Sequence, residues 1–325
     1  MCYFLSVMKK AVKHFLNKHF PITRFTAVLP YTLVFKTTNY CWYKCPHCCE
    51  NSGPKQPRDF IPANLIKYYL SVAAGDSRFS GDVVFTGGEI MAAYRFGAPG
   101  YVKDILDYAL GLNCGVDIKT NAAWTGLSFG GPIFDDLAAV AAAHKQYRLQ
   151  VSLSLDGFHK NALDNNVRFI SQMAARGAKI VVHISGLDGK WFVSPDAVYG
   201  RLRDMGHSVS AGGIVSGNRL IDAVIVDGCV VVRSGVGELF QAGRANNIDG
   251  AAYQATPQFQ IISHGNDLLM AFDSAGRVSL GEAGRRKIAT KWRAGAGRIF
   301  KLPSIQKNLT RAAFVEEMRH KILGR

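Results

Sequence analysis

Cys41, Cys45 and Cys48 stand in the run Cys-Trp-Tyr-Lys-Cys-Pro-His-Cys, a Cys-x3-Cys-x2-Cys spacing. Three thiolates on one short loop can ligate three corners of a cubane iron–sulfur cluster, which leaves the fourth iron without a protein ligand. Soft sulfur donors favour iron–sulfur clusters, zinc or copper(I) over hard cations. A structural zinc asks for four ligands, and His47 supplies the fourth only if adjacent side chains of the loop converge, so zinc ranks below the cluster. A second run, Phe85-Thr-Gly-Gly-Glu89, follows. A Gly-Gly-Glu alone is usually a turn, and a lone pair of cysteines belongs to redox or zinc chemistry. Together the two runs read as a redox cofactor site.

Each run lies just past a β-rich segment. Tyr31–Thr38 stops before Cys41, and Asp82–Phe85 stops at Thr86-Gly87-Gly88-Glu89. Further strands are expected over Gly115–Asn121, Leu149–Leu155, Lys179–Ser185 and Ile221–Val226. Helical periodicity covers Tyr101–Leu110, Ile133–Ala143, the stretch around Asn166–Met173, and Asp196–Met205. This alternation predicts an α/β chain, a partial (β/α)6 barrel of parallel strands. Ligands of such folds sit at the carboxyl ends of the strands, so Asn121, Ser154, Asp156, His183 and Ser185 are the positions to watch. His159 and His183 read as satisfied polar residues beside strands, and no residue is assigned as a catalytic base.

In these motifs and their order the sequence resembles the radical S-adenosylmethionine (radical SAM) superfamily, whose three-cysteine loop follows the first barrel strand and whose Gly-Gly-Glu follows the second. The resemblance implies an oxidoreductase with one 4Fe-4S cluster on Cys41, Cys45 and Cys48. Its open iron would bind the amino and carboxylate groups of S-adenosylmethionine, and one-electron cleavage would give a 5′-deoxyadenosyl radical that abstracts a hydrogen atom. A reduced flavodoxin or ferredoxin is the implied electron donor. Gly87 and Gly88 would let backbone approach the methionyl ammonium without a Cβ in the way. Glu89 would strengthen that site by charge pairing, or serve as a helix N-terminal acid. Ser-Leu-Ser-Leu-Asp-Gly-Phe-His159 resembles the family's Ser-x-Asp-Gly strand and gives Ser154 a contact to S-adenosylmethionine. Arg168, on the next helix, would match the methionyl carboxylate bidentately. Gly243-Arg-Ala245 and Leu268 to Leu280 are similar to the auxiliary-cluster segment of peptide-modifying members, with Leu280 where a ligand cysteine would stand. A peptide or protein substrate without an auxiliary cluster is therefore expected. The alternatives are modification of RNA and a cluster-bearing protein that binds an anionic partner without turnover.

The 325 residues carry a net charge of +15 that is concentrated at the ends. Residues 285–325 hold twelve Lys and Arg against Glu316 and Glu317, a net of +10, and residues 1–36 hold a net of +6. The middle is close to neutral. Basic ends suit RNA, an acidic peptide or a membrane surface, or simply a solvated surface. The expected organisation is a basic amphipathic extension over 1–30, the barrel over 31–235, a degenerate auxiliary-type segment over 236–284 and a basic tail over 285–325. Val7, Ala11, Val12, Phe15, Leu16 and Phe20 have helical spacing with lysines opposite. Trp292 between Lys291 and Arg293 is an aromatic in a basic setting, a weak nucleic-acid signal. No apolar stretch reaches the roughly 18 residues of a membrane span, and the N-terminal apolar residues precede the lysines, the reverse of a secretory signal. The expectation is a cytoplasmic protein. Seven cysteines, three of them clustered, fit a reducing compartment better than a disulfide framework.

Overall fold

The computed structural model describes residues 31–237, apart from 49–51, 76–78, 97, 99, 188, 190–191 and 217–218, together with strands at 268–272 and 278–280. The basic extension at 1–30, Cys2, Cys49, Gly243–Ala245, Trp292 and the tail at 285–325 lie outside the described residues.

Strands β1 (Tyr31–Thr38), β2 (Phe79–Gly87), β3 (Gly115–Thr120), β4 (Leu149–Leu155) and β5 (Val181–Leu187) lie side by side in chain order, all parallel. Helices α1 (Ala63–Ala74), α2 (Ala92–Arg95), α3 (Tyr101–Gly111), α4 (Gly130–Ala143), α5 (Ala162–Ala175) and α6 (Pro195–Asp204) fill the crossovers. Their apolar stripes face one side of the sheet. In α3, Val102, Ile105, Leu106 and Ala109 recur at helical spacing and are all buried. Ser194 caps α6, its hydroxyl accepting from the Asp196 N–H at 3.2 Å, with a proline opening the helix and Arg201 and Arg203 in its last turn. On the sheet, Phe35, Phe85, Ile118, Val151, Val182 and Val232 pair in one cross-strand row and are fully buried. Phe35 and Phe85 stack at 5.6 Å between ring centroids. This apolar floor holds the ends of β1 and β2 in fixed register.

The fold is the expected open α/β sheet, but the sixth parallel place is filled differently. Ile221–Val226 does not close the series. It lies within β7 (Arg219–Val226), which pairs antiparallel with both β6 (Val209–Ser216) and β8 (Val230–Gly237), and β8 is the strand that lies parallel to β5. The turn decides this. Asp227 and Gly228 both have positive φ, 49° and 70°, in the three-residue connection Asp227–Cys229, which the Cys229 N–H closes by donating to the Val226 carbonyl at 3.1 Å. The Asp227 carboxylate also accepts from the Ser208 N–H at 2.8 Å and meets His207 Nδ1 at 2.7 Å. At the other edge, β9 (Leu268–Phe272) pairs parallel with β1, and β10 (Val278–Leu280) pairs antiparallel with β9. The segment resembling an auxiliary-cluster region thus adds two strands beside β1. Helix α1, between the cysteine loop and β2, has no counterpart in the sequence reading.

Candidate functional site

The cysteine loop leaves β1 at its carboxyl end and is gripped by the ends of three neighbouring strands. From β2, the Gly88 N–H donates to the Thr38 carbonyl at 2.6 Å and the Glu89 N–H donates to the Tyr40 carbonyl at 2.7 Å. The two glycines are what allow this approach. A Cβ at Gly88 would stand 2.0 Å from the Tyr40 carbonyl oxygen, and one at Gly87, where φ is 112°, 2.6 Å from that of Thr38. Motifs some forty residues apart in sequence therefore touch backbone to backbone.

From β3 comes Asn121. Its Oδ1 accepts from the Ala123 N–H at 2.9 Å, which turns Nδ2 toward the Cys41 sulfur at 3.3 Å. Asn121 and Cys41 are both buried. Glu89 is fully buried, its oxygens accepting from the Thr120 hydroxyl at 2.8 and 2.9 Å, the Asn121 N–H at 3.2 Å and the Met91 N–H at 3.3 Å. Burial pushes its carboxyl up to about 7, against the pull of these hydrogen bonds. Its role in the described residues is to tie β2 to β3, with Trp124 Nε1 donating to the same Thr120 hydroxyl at 3.1 Å.

The loop after β4 closes the third side. Tyr43 donates to the Lys160 carbonyl at 3.0 Å, and the His47 ring stacks on Phe158 at 4.5 Å and meets His159 edge-on at 5.0 Å. His159 Nδ1 lies 2.8 Å from Asp156 Oδ2, while Asp156 Oδ1 accepts from the Phe158 and His159 N–H groups at 2.9 and 3.1 Å. Burial works against charge on His159, yet hydrogen bonds to Asp156 and to Cys45 outweigh it and push the imidazole up to about 10. Sequence reading treats His159 as a satisfied polar residue. It is satisfied, and it also sets a cation beside Cys45. Ligand atoms of His47, Asp156 and His159 lie within 4.8 Å of one another; the Asp156–His159 pair accounts for that proximity without an ion.

The donor set fits a three-thiolate cluster. Cys41 and Cys45 are buried and Cys48 half-buried, and none of the three is in a disulfide. Burial, then the Glu89 charge, pushes the Cys41 thiol up to about 12, so a bound cation is what would hold it as thiolate. Asn121 Nδ2 and His159 supply hydrogen bonds of the kind that stabilise cluster sulfurs. Cys114 and Cys229 precede β3 and β8, at the amino ends of the parallel strands, whereas this loop is at their carboxyl ends.

The structure thus brings together Cys41, Cys45, Cys48, Gly87, Gly88, Glu89 and Asn121. Ser154 lies one residue before the end of β4, on the face away from the helices, and its carbonyl accepts from Asn166 Nδ2 at 2.9 Å. Arg168 is placed elsewhere: it is exposed on α5, with its guanidinium against Gly126 of the short turn after β3. Among the described residues no contact links it to the cysteine loop. Thr120, which ties to Glu89, has no counterpart in the sequence reading; Asp156 is among the strand-end positions that reading names, but its pairing with His159 is not.

No protein-family model and no curated protein matches the chain. Among solved structures it is similar to Streptococcus suis SuiB bound to precursor peptide SuiA, with 14% identity and a TM-score of 0.45 over 93% of this chain and 69% of that one. SuiB bound to S-adenosylmethionine gives 13% and 0.42 over 87% and 70%. Native anSMEcpe with bound AdoMet gives 14% and 0.35 over 48% and 44%.

Proposed function

We propose that this chain is a radical SAM enzyme, which holds one 4Fe-4S cluster on Cys41, Cys45 and Cys48 and binds S-adenosylmethionine beside it. The observation that carries the reading is the junction of Gly88 with Tyr40 and of Asn121 with Cys41. It makes the cysteine loop and the Gly-Gly-Glu one object at the carboxyl ends of parallel strands, where α/β folds bind their ligands. When bound, the pair supplies a single electron and a 5′-deoxyadenosyl radical, chemistry no side chain can provide.

The protein's own part is positional. Glycines 87 and 88 lock the loop to β2, Asn121 and His159 donate toward the cysteine sulfurs, and Glu89 holds β3 in line. Ser154 lies on the inner face, one residue short of the end of β4, for contact with S-adenosylmethionine. The substrate proposed is a peptide or protein, on the strength of the 268–280 segment and its two strands. The net charge of +10 at 285–325 favours RNA as the second reading. A reduced flavodoxin or ferredoxin is the proposed electron donor. Among the described residues, no helix is long and apolar enough to cross a membrane.

Anaerobic reconstitution tests this directly. The expected result is about four irons per chain and release of 5′-deoxyadenosine from S-adenosylmethionine once a reductant is added. Tight zinc binding with no redox-active iron would overturn the proposal.

A further inference from the structure

On the sheet face away from the helices, Lys119, Ser152, His183 and Arg233 pair across β3, β4, β5 and β8 in a single row. One end of this row is saturated. Lys119 Nζ lies 2.6 Å from Asp117 Oδ2 and donates to the Ser152 hydroxyl at 3.0 Å, while that hydroxyl donates to Asp117 Oδ1 at 2.7 Å.

The other end is not. Both ring nitrogens of His183 and the Nε of Arg233 are shut off from solvent with no hydrogen-bond partner among the described residues. The Arg233 guanidinium donates to the Gln150 side-chain carbonyl and forms no ion pair with a described carboxylate. Burial, then the charges of Lys119 and Arg233, holds the His183 imidazole down to about 4, so it is neutral at physiological pH. Gly235 leaves room for the ring: a Cβ there would stand 3.1 Å from His183 Cε1.

Buried polar atoms left unpaired in a native protein cost free energy and call for a missing partner. That partner must accept from an imidazole N–H and from a guanidinium, and it must be anionic. Lys119 is matched by Asp117, so the unmatched charge is one positive unit, which suits a monoanion better than a phosphate dianion. We infer that His183 and Arg233 bind a carboxylate of the substrate, an acidic side chain or a chain terminus that reaches the inner face of the sheet. The inference rests on the proposed function for the word substrate; the binding site itself stands on the unpaired groups.

The experiment is a titration of the full-length protein with sodium butyrate at constant ionic strength, followed by the ring 15N resonances of His183, assigned by their loss in His183→Gln. A saturable shift is expected with butyrate and none with chloride. Arg233→Gln should weaken binding about 10- to 100-fold, the loss of a charge-assisted hydrogen bond. Gly235→Ala keeps every charge, presses on the imidazole and should weaken the same titration, which guards against an arginine variant that fails to fold.

No shift with butyrate, an undiminished shift in both variants, or tighter binding of inorganic phosphate would each overturn the assignment. S-adenosylmethionine carries a carboxylate too. Added to the reconstituted protein, it should leave the butyrate titration unchanged, and competition between the two would show that the row serves S-adenosylmethionine and not the substrate. Because the titration needs neither cluster nor turnover, its failure is separable from failure of the radical SAM reading.

Discussion

A single methyl group at position 88 should loosen the whole cysteine loop. In Gly88→Ala the new Cβ would fall 2.0 Å from the Tyr40 oxygen and 2.6 Å from its carbonyl carbon, both rigid backbone atoms next to Cys41. Relief requires the loop and the end of β2 to part. Overpacking of this kind costs about 1–3 kcal/mol. Parting also breaks the Gly88–Thr38 and Glu89–Tyr40 hydrogen bonds, at about 1 kcal/mol each. The sum, about 3–5 kcal/mol, is a large share of a domain stability of about 5–15 kcal/mol and corresponds to a fall in melting temperature of roughly 10 °C. Thermal melting of the metal-free protein reads the first effect, and iron bound after anaerobic reconstitution reads the second. Gly131→Ala is the matched control. It lies in α4 with nothing within 4 Å of the new methyl, so it should stabilise by about 0.5–1 kcal/mol. Wild-type melting and full iron uptake in Gly88→Ala would refute the idea that the two motifs are locked together through this glycine.

Other predictions concern the ligands, the buried acid and the basic tail. Cys41→Ala, Cys45→Ala and Cys48→Ala should each abolish the reducible cluster seen by visible absorption and electron paramagnetic resonance, while Cys49→Ala keeps it; the reverse pattern at 48 and 49 would contradict the ligand set. Glu89 is held at about 7 against an ordinary 4.5, so the fold favours its protonated form. Stability from this group is full below about pH 4.5 and is lost as pH rises through 7, a decline of about 3 kcal/mol. Urea unfolding of the metal-free protein at pH 5 and pH 8 should show a smaller difference between the two in Glu89→Gln than in the wild type. If the tail binds RNA, affinity falls linearly on a log–log salt plot and removal of residues 285–325 flattens the slope; salt-insensitive or absent binding by the intact chain removes the RNA reading.

Much of the layout is legible in the sequence because the period of its apolar residues is unambiguous. Tyr31–Thr38 and Leu149–Leu155 are strands over their full expected lengths, and both the three-cysteine run and the Gly-Gly-Glu lie at strand ends as their flanks imply. The sixth strand is not legible from periodicity. Val209–Ser216, Arg219–Val226 and Val230–Gly237 are three β-rich runs in succession, and only the Asp227–Gly228 turn tells that they form a meander whose last member joins the parallel sheet. The Glu89–Thr120 tie and the His183–Arg233 row depend on register between strands. Registers are set by packing across the sheet, so a reading along one chain cannot supply them. Arg168 shows the opposite failure: a guanidinium of the right chemistry sits on the exposed side of its helix, because Val167, Phe169 and Ile170 take the buried face.

The pairing of Tyr31 with Leu268 also has a meaning in time. The strand that leads into the cysteine loop is made first, and its outer neighbour more than two hundred residues later. At about 5–20 residues per second that interval is roughly 10–50 s, during which β1 presents an unpaired edge able to recruit any passing strand. In the finished sheet β9 covers that edge from Tyr31 to Phe35, so the order of synthesis confines the exposed edge of β1 to the interval before residues 268–272 are made.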